Sequence, residues 1–150
     1  MISSIKLILF GLFLVFYLPY SFAQNHSLIS QSHVAINQCI SKFQSETKNK
    51  ISEDIDHVYV DVFSKGMVIG FTRGEVGIFD ERSINYKPYL VCGLYEKTIV
   101  YLGDGLRKEP IFDNEFNDKY HDYKHDFISL LFKKNADDFE FSNSMKIKVD

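Results

Sequence analysis

The stretch Asp56-His57-Val58-Tyr59-Val60-Asp61-Val62-Phe63, followed by Ser64-Lys65-Gly66 and then Met67-Val68-Ile69-Gly70-Phe71, decides the fold. Val58, Val60 and Val62 fall on one side of an extended chain, and His57, Tyr59, Asp61 and Phe63 fall on the other, because successive strand side chains point to opposite faces. β-Branched and aromatic residues on both sides of a short glycine turn make the segment a β-hairpin. The residues that follow continue the pattern. A glycine-containing link, Thr72-Arg73-Gly74-Glu75, leads to a short apolar piece from Val76 to Phe79 and a polar loop to Pro88. Tyr89 to Tyr95 and Thr98 to Leu102 are joined tightly through Glu96-Lys97, with Gly103-Asp104-Gly105 as the next turn. These pieces predict an antiparallel meander of four to five strands.

The sequence before the hairpin has a different period. From Ser27 to about Thr47, Ile29, Ile36, Ile40 and Phe43 recur near helical spacing, with Leu28, His33 and Cys39 at the margins of the stripe. A polar connector from Lys48 to Asp54 separates this helix from the hairpin. Beyond the meander, Asp113 is a suitable cap for a second helix. Phe116, Tyr120, Tyr123, Phe127, Leu130 and Leu131 advance along it by three or four residues. Phe139-Glu140-Phe141, a Ser142-Asn143-Ser144 turn and the alternating tail from Met145 to Val149 read as a C-terminal hairpin. The expected class is therefore α+β: N-terminal helix, antiparallel meander, second helix, closing hairpin.

The N-terminus has the order of a secretory signal. Lys6 precedes an apolar run from Leu7 to Leu18, and after it come a helix-breaking Pro19 and the small residues Ser21 and Ala23. The run is shorter than the roughly 20 residues a bilayer span needs. Cleavage after Ala23 would leave a single domain, residues 24–150, in the periplasm or outside the cell. Its 16 basic side chains stand against 20 acidic ones, a net charge of −4. A mildly acidic chain without basic clusters does not suit nucleic acid or stable association with an anionic membrane, and it leaves a basic protein partner open. In an oxidising compartment Cys39 and Cys92 are expected to pair. Cys39 flanks the first helix stripe and Cys92 shares a strand face with Leu90 and Leu94, so the bridge would staple helix to sheet.

Candidate sites are few, and each has a plain structural alternative. His121 and His125, four apart on the expected second helix with Asp118 and Asp122 nearby, could share a metal ion. Helical counting puts both on the solvent side, and the H-E-x-x-H arrangement is absent, which favours a solvated polar face. His57 and Asp61 share a strand face but are about 13 Å apart by rise, too far to form a dyad. Thr72-Arg73-Gly74-Glu75-Val76-Gly77 lacks the G-K-[ST] ending of a phosphate loop, although Arg73 and Glu75 at a loop tip suit contact with a protein. Tyr59, Tyr86, Tyr89, Tyr95 and Tyr101 belong to or border the sheet block, and tyrosine on an outward sheet face is a rigid, amphipathic contact residue. The binding set read from the sequence is thus Tyr59, Asp61, Arg73, Glu75, Tyr89, Tyr95 and Tyr101, with no catalytic set and no cofactor.

In signal, size and disulfide alone the chain is similar to periplasmic immunity proteins and inhibitors of cell-wall lytic enzymes, a likeness that carries no residue over. The expectation is a small exported binding protein that blocks or occupies a protein partner. The alternatives are a small secreted hydrolase or metal-dependent enzyme using His121 and His125, and a structural component of the envelope.

Overall fold

The computed structural model describes residues 2–74, 89–104, 110–113 and 125–148, with side chains from residue 25 onward. One helix, α1 (Ile2–Thr47), precedes seven strands. These are β1 (His57–Val62), β2 (Gly66–Thr72), β3 (Leu90–Tyr95), β4 (Thr98–Asp104), β5 (Phe112–Asp113), β6 (Phe127–Asn135) and β7 (Asp138–Ile147). The chain divides into two compact units, Met1–Ser32 and His33–Asp150. In the first, every described residue is helical, and the helix continues through Pro19, which was expected to break it. A proline keeps helical φ and forfeits the hydrogen bond its missing N–H would have donated, so apolar helix formers on both sides can carry the helix across it.

The second unit holds the rest of α1 and one seven-stranded sheet of order β5-β4-β3-β2-β1-β6-β7. Every neighbouring pair is antiparallel. β1 to β4 are strands of the meander that the sequence predicts, β5 extends it at residues not read as a strand, and β6 and β7 add to its other side, beside β1.

Two rungs of side chains cross the face that receives the helix. Leu102, Cys92, Ile69, Val60 and Leu130 stand in register from β4 to β6. Leu90, Phe71, Val58 and Phe132 form the next rung. All nine are at most 2% exposed. Ala35, Ile36, Cys39 and Phe43, a helical stripe, supply the buried face of α1. Full burial of a large apolar side chain contributes about 1.5–3 kcal/mol, so these rungs supply much of the driving force. The Cys39–Cys92 disulfide forms, with Cα atoms 6.1 Å apart, and ties the stripe to the middle of the first rung. The helix ends where Lys48 takes a left-handed φ of 62° and its N–H reaches Gln44 O at 2.9 Å.

The expected second helix is not seen. Residues 114–124 lie outside the described residues, and Asp113, its expected cap, belongs to β5. Its expected C-terminal part, with Phe127, Leu130 and Leu131, is strand β6, hydrogen-bonded between β1 and β7. The reason is burial on both faces. Phe127, Ser129, Leu130, Leu131 and Phe132 are all buried, so alternation disappears and the apolar spacing mimics a helical stripe.

The closing hairpin also differs. β6 and β7 are its two strands, and Ala136-Asp137 is its turn. Ser142-Asn143-Ser144 lies within β7, where Leu131 pairs with Asn143 and Phe132 with Phe141, leaving Ser142 as the extra residue of a bulge. The short apolar piece from Val76 to Phe79 lies outside the described residues.

Ala136 carries the turn at a φ of 54°, in the left-handed region that costs a residue with a Cβ about 1–2 kcal/mol. Ala136→Gly is therefore expected to stabilise the protein by roughly 0.5–1 kcal/mol, read as a higher urea midpoint at unchanged slope. An unchanged or lower midpoint would show that the turn is not strained.

Candidate functional site

The sheet face opposite α1 gathers the polar chemistry. One rung across it runs Tyr101, Gly93, Val68, Asp61, Ser129 and Met145, and the next runs Gly103, Val91, Gly70, Tyr59, Leu131 and Asn143. Tyr59 and Asp61 share this face through β1 alternation, and Tyr101 joins them from β4. Tyr95, at the end of β3, follows Val91 and Gly93 on the same side and stands opposite Gly66.

Glycine shapes the surface. A Cβ on Gly70 would overlap the ring of Tyr59, and one on Gly103 would overlap the ring of Tyr101. Each tyrosine therefore lies down over a glycine, with its ring along the sheet. This arrangement covers strand backbone that has no side chain of its own, at the cost of the glycine's extra entropy. Tyr59, Tyr95 and Tyr101 are all half-buried.

Between these rings and β7 lies a buried polar pair. Ser129 Oγ donates to Asp61 Oδ1 at 2.8 Å, with Ser129 1% and Asp61 8% exposed. A buried carboxylate needs such donors, because an unsatisfied one costs the desolvation of its charge. Sequence reasoning named Asp61 but missed Ser129. The available signal was a lone serine inside the apolar run Phe127 to Phe132.

The other expected contacts lie elsewhere. Arg73, exposed after β2, places Nε 2.7 Å from Asp54 Oδ2 and its guanidinium 5.6 Å from the centre of the Tyr89 ring. Tyr89 in turn lies 6.5 Å from the Phe43 ring of α1. Arg73 and Tyr89 thus form a cluster at the strand ends, separate from Tyr59, Tyr95 and Tyr101. Glu75 lies outside the described residues. Beside this cluster Asp56 Oδ1 accepts the Gly74 N–H at 2.6 Å and sits 2.8 Å from His57 Nδ1. The His57 contact, and then the Gly74 N–H, hold the Asp56 carboxyl below its ordinary value although burial opposes them. Gly74, at a φ of 75°, is where this turn requires a glycine.

A second carboxylate of this kind pins β7. Asp138 Oδ1 accepts the Phe139 N–H at 2.8 Å and lies 2.9 Å from His33 Nε2 on α1. The backbone donor first and His33 after it depress the Asp138 pKa, again against burial.

For catalysis these residues form separate pairs: Ser129 with Asp61, and His57 with Asp56. Both cysteines are in the disulfide. His121 lies outside the described residues. His125 is exposed at a bend before β6 and not on the helix expected to pair it with His121. Among the described residues no group of three His, Cys, Asp or Glu could hold a metal ion. A groove of about 820 Å³ runs between α1 and the β4–β5 edge, lined by Val34, Gln38, Lys42, Ile99 and Phe112 among others. The Lys42 ammonium sits 3.9 Å over the Phe112 ring and 2.7 Å from Glu46. Compared with protein-family models, curated proteins and solved structures, the chain matches none. Among the described residues no helix is long and apolar enough to cross a membrane.

The depressed carboxyls set a sign for pH dependence. Asp56 and Asp138 titrate below 3.8 when folded, so their stabilisation is complete above that value and is lost as pH falls through the lower folded pKa. Asp138→Asn removes one of the two. It should lower the urea midpoint at neutral pH and make the fall in stability between about pH 5 and pH 2 shallower. An acid limb as steep as that of the unsubstituted protein would show that Asp138 contributes nothing to it.

Proposed function

We propose that this chain is exported, loses residues 1–23, and acts outside the cytoplasm as a small binding protein that blocks or occupies a protein partner through the tyrosine-bearing face of its sheet. The observation that carries the proposal is the set of half-buried tyrosines, Tyr59, Tyr95 and Tyr101, on the sheet face opposite α1. A tyrosine ring brings a large contact area with only two rotatable side-chain bonds, so docking a partner on it loses little conformational entropy. Tyr59 and Tyr101, laid over Gly70 and Gly103, have lost most of that freedom already. Holding contact groups in place before binding reduces the cost of association.

Two further features support the reading. The disulfide and the lack of a membrane-crossing helix among the described residues are compatible with a protein working outside the cytoplasm. The acidic balance of the mature chain suits a partner with a basic surface.

The test is to purify tagged protein from the envelope and secreted fractions of expressing cells, read its N-terminus, and identify what co-purifies in stoichiometric amount. The expected product begins at Gln24 and carries one partner, whose retention falls at least tenfold for the folded variant Tyr95→Ala. Full-length protein that stays in the cytoplasm would overturn the export. A correctly processed protein with no partner, or with one that Tyr95→Ala leaves unaffected, would overturn the binding face.

A further inference from the structure

A cavity of about 400 Å³ opens where α1 ends, among the last turn of the helix, the connector to β1 and the residues leading into β3 and β5. Its volume falls within the roughly 300–1,000 Å³ of small-molecule sites. Phe43, Tyr89 and Ile111 supply the apolar part of its lining, and Thr47, Asn49, Lys50 and Ser52 the polar part. The aromatic part is held in place by the fold itself. Phe43 is buried, and Tyr89 has the Phe43 ring at 6.5 Å and the Arg73 guanidinium 5.6 Å from its ring centre. The Tyr89 N–H is anchored on Phe71 O at 2.8 Å.

The protein uses only some of the polar capacity around this cavity. Thr47 Oγ1 donates to Phe43 O at 2.8 Å and accepts the Asn49 N–H at 3.2 Å, and Ser52 Oγ donates to Asp54 Oδ1. Both hydroxyl protons are therefore engaged, while each oxygen keeps a lone pair. Among the described residues nothing hydrogen-bonds the Asn49 side-chain amide or the Lys50 ammonium. The lining thus presents donors and acceptors together, beside aromatic and aliphatic surface.

This combination selects a ligand chemistry. A wholly apolar ligand would strip water from Thr47, Asn49, Lys50 and Ser52 and give nothing back. An anion would find a single cation, Lys50, next to the negative end of the α1 dipole. A cation would meet Lys50 with, among the described residues, no carboxylate in the lining. A neutral polyhydroxylated ring matches every part. Its C–H groups cover Phe43, Tyr89 and Ile111, and its hydroxyls, each both donor and acceptor, satisfy the Asn49 amide and the lone pairs of Thr47 and Ser52. We infer that this cavity is a binding site for a neutral sugar, with Asn49 as its main hydrogen-bonding residue. The site is separate from the Tyr59, Tyr95 and Tyr101 face and does not depend on a protein partner there.

NMR titration of the isotope-labelled, disulfide-bonded protein with glucose, galactose, mannose and N-acetylglucosamine, each to about 100 mM, reads the binding from amide shifts. At least one sugar is expected to give saturable shifts confined to Phe43 to Ser52, Tyr89 and Ile111, with a millimolar Kd, and inorganic phosphate is expected to give none. Asn49→Ala removes an exposed side chain and keeps the N–H that bonds Thr47, so the fold stays intact. It should raise the Kd about threefold to tenfold, the effect of losing a neutral hydrogen bond. Absence of saturable shifts with all four sugars would overturn the inference. So would shifts centred away from the cavity, an Asn49→Ala variant that binds as tightly as the unsubstituted protein, or displacement of the sugar by phosphate, which would mark an anion site.

Discussion

The covalent link between Cys39 and Cys92 sets the arrangement of the unit from His33 to Asp150. It joins the buried stripe of α1 to the rung formed by Leu102, Ile69, Val60 and Leu130, on the central strands rather than at a sheet edge. Closing a loop of 53 residues is worth about 4 kcal/mol in the chain-entropy model, a large share of the stability of a small domain. It also fixes which face of the sheet the helix covers. Once α1 lies against the valine, isoleucine and leucine rungs, every polar residue that alternates with them on β1 and β6 is committed to the opposite face.

That opposite face is where the structure spends stability on something other than core packing. Asp61 and Ser129 are buried polar groups where aliphatic residues of similar size would avoid any desolvation cost. Gly70 and Gly103 sit inside strands, where glycine is entropically unfavourable, and each accommodates a tyrosine ring. In each case a local choice that costs stability is compensated by a specific neighbour. The same trade recurs at β7, where locally capped amides and a bulge blunt an edge that nevertheless displays Phe141 and Met145.

The parts of the fold legible in the sequence are those where one structural rule acts alone. The β1–β2 hairpin and the β3–β4 pair were legible because one face of each strand is apolar and a short turn follows at once. The helix over residues 27–47 was legible from its single stripe, and the disulfide from two cysteines on faces that had to meet. β6 was not legible. It lies between β1 and β7 with both faces buried, so Phe127, Leu130 and Leu131 display hydrophobicity without the alternation that identifies a strand. Its turn was hidden as well, because Ala136 and Asp137 carry it without glycine, while serine and asparagine, ordinary turn formers, were used for the bulge in β7. Of the candidate site, Tyr59 and Asp61 could be placed on one face by alternation within β1, whereas the face of Tyr101 depends on the pairing of β4 with β3 and on the register shift beside it. Ser129 could not, since its contribution depends on β6 being a strand paired to β1.

The measurement that bears most directly on this account is a peptide map of the folded protein, digested without reduction and read by mass spectrometry. The account predicts one intramolecular species in which the peptide containing Cys39 is joined to the peptide containing Cys92, with no free thiol. Two unlinked thiols in a fully folded protein, or a link only between separate chains, would contradict it, because the helix would then be held to the sheet by packing alone.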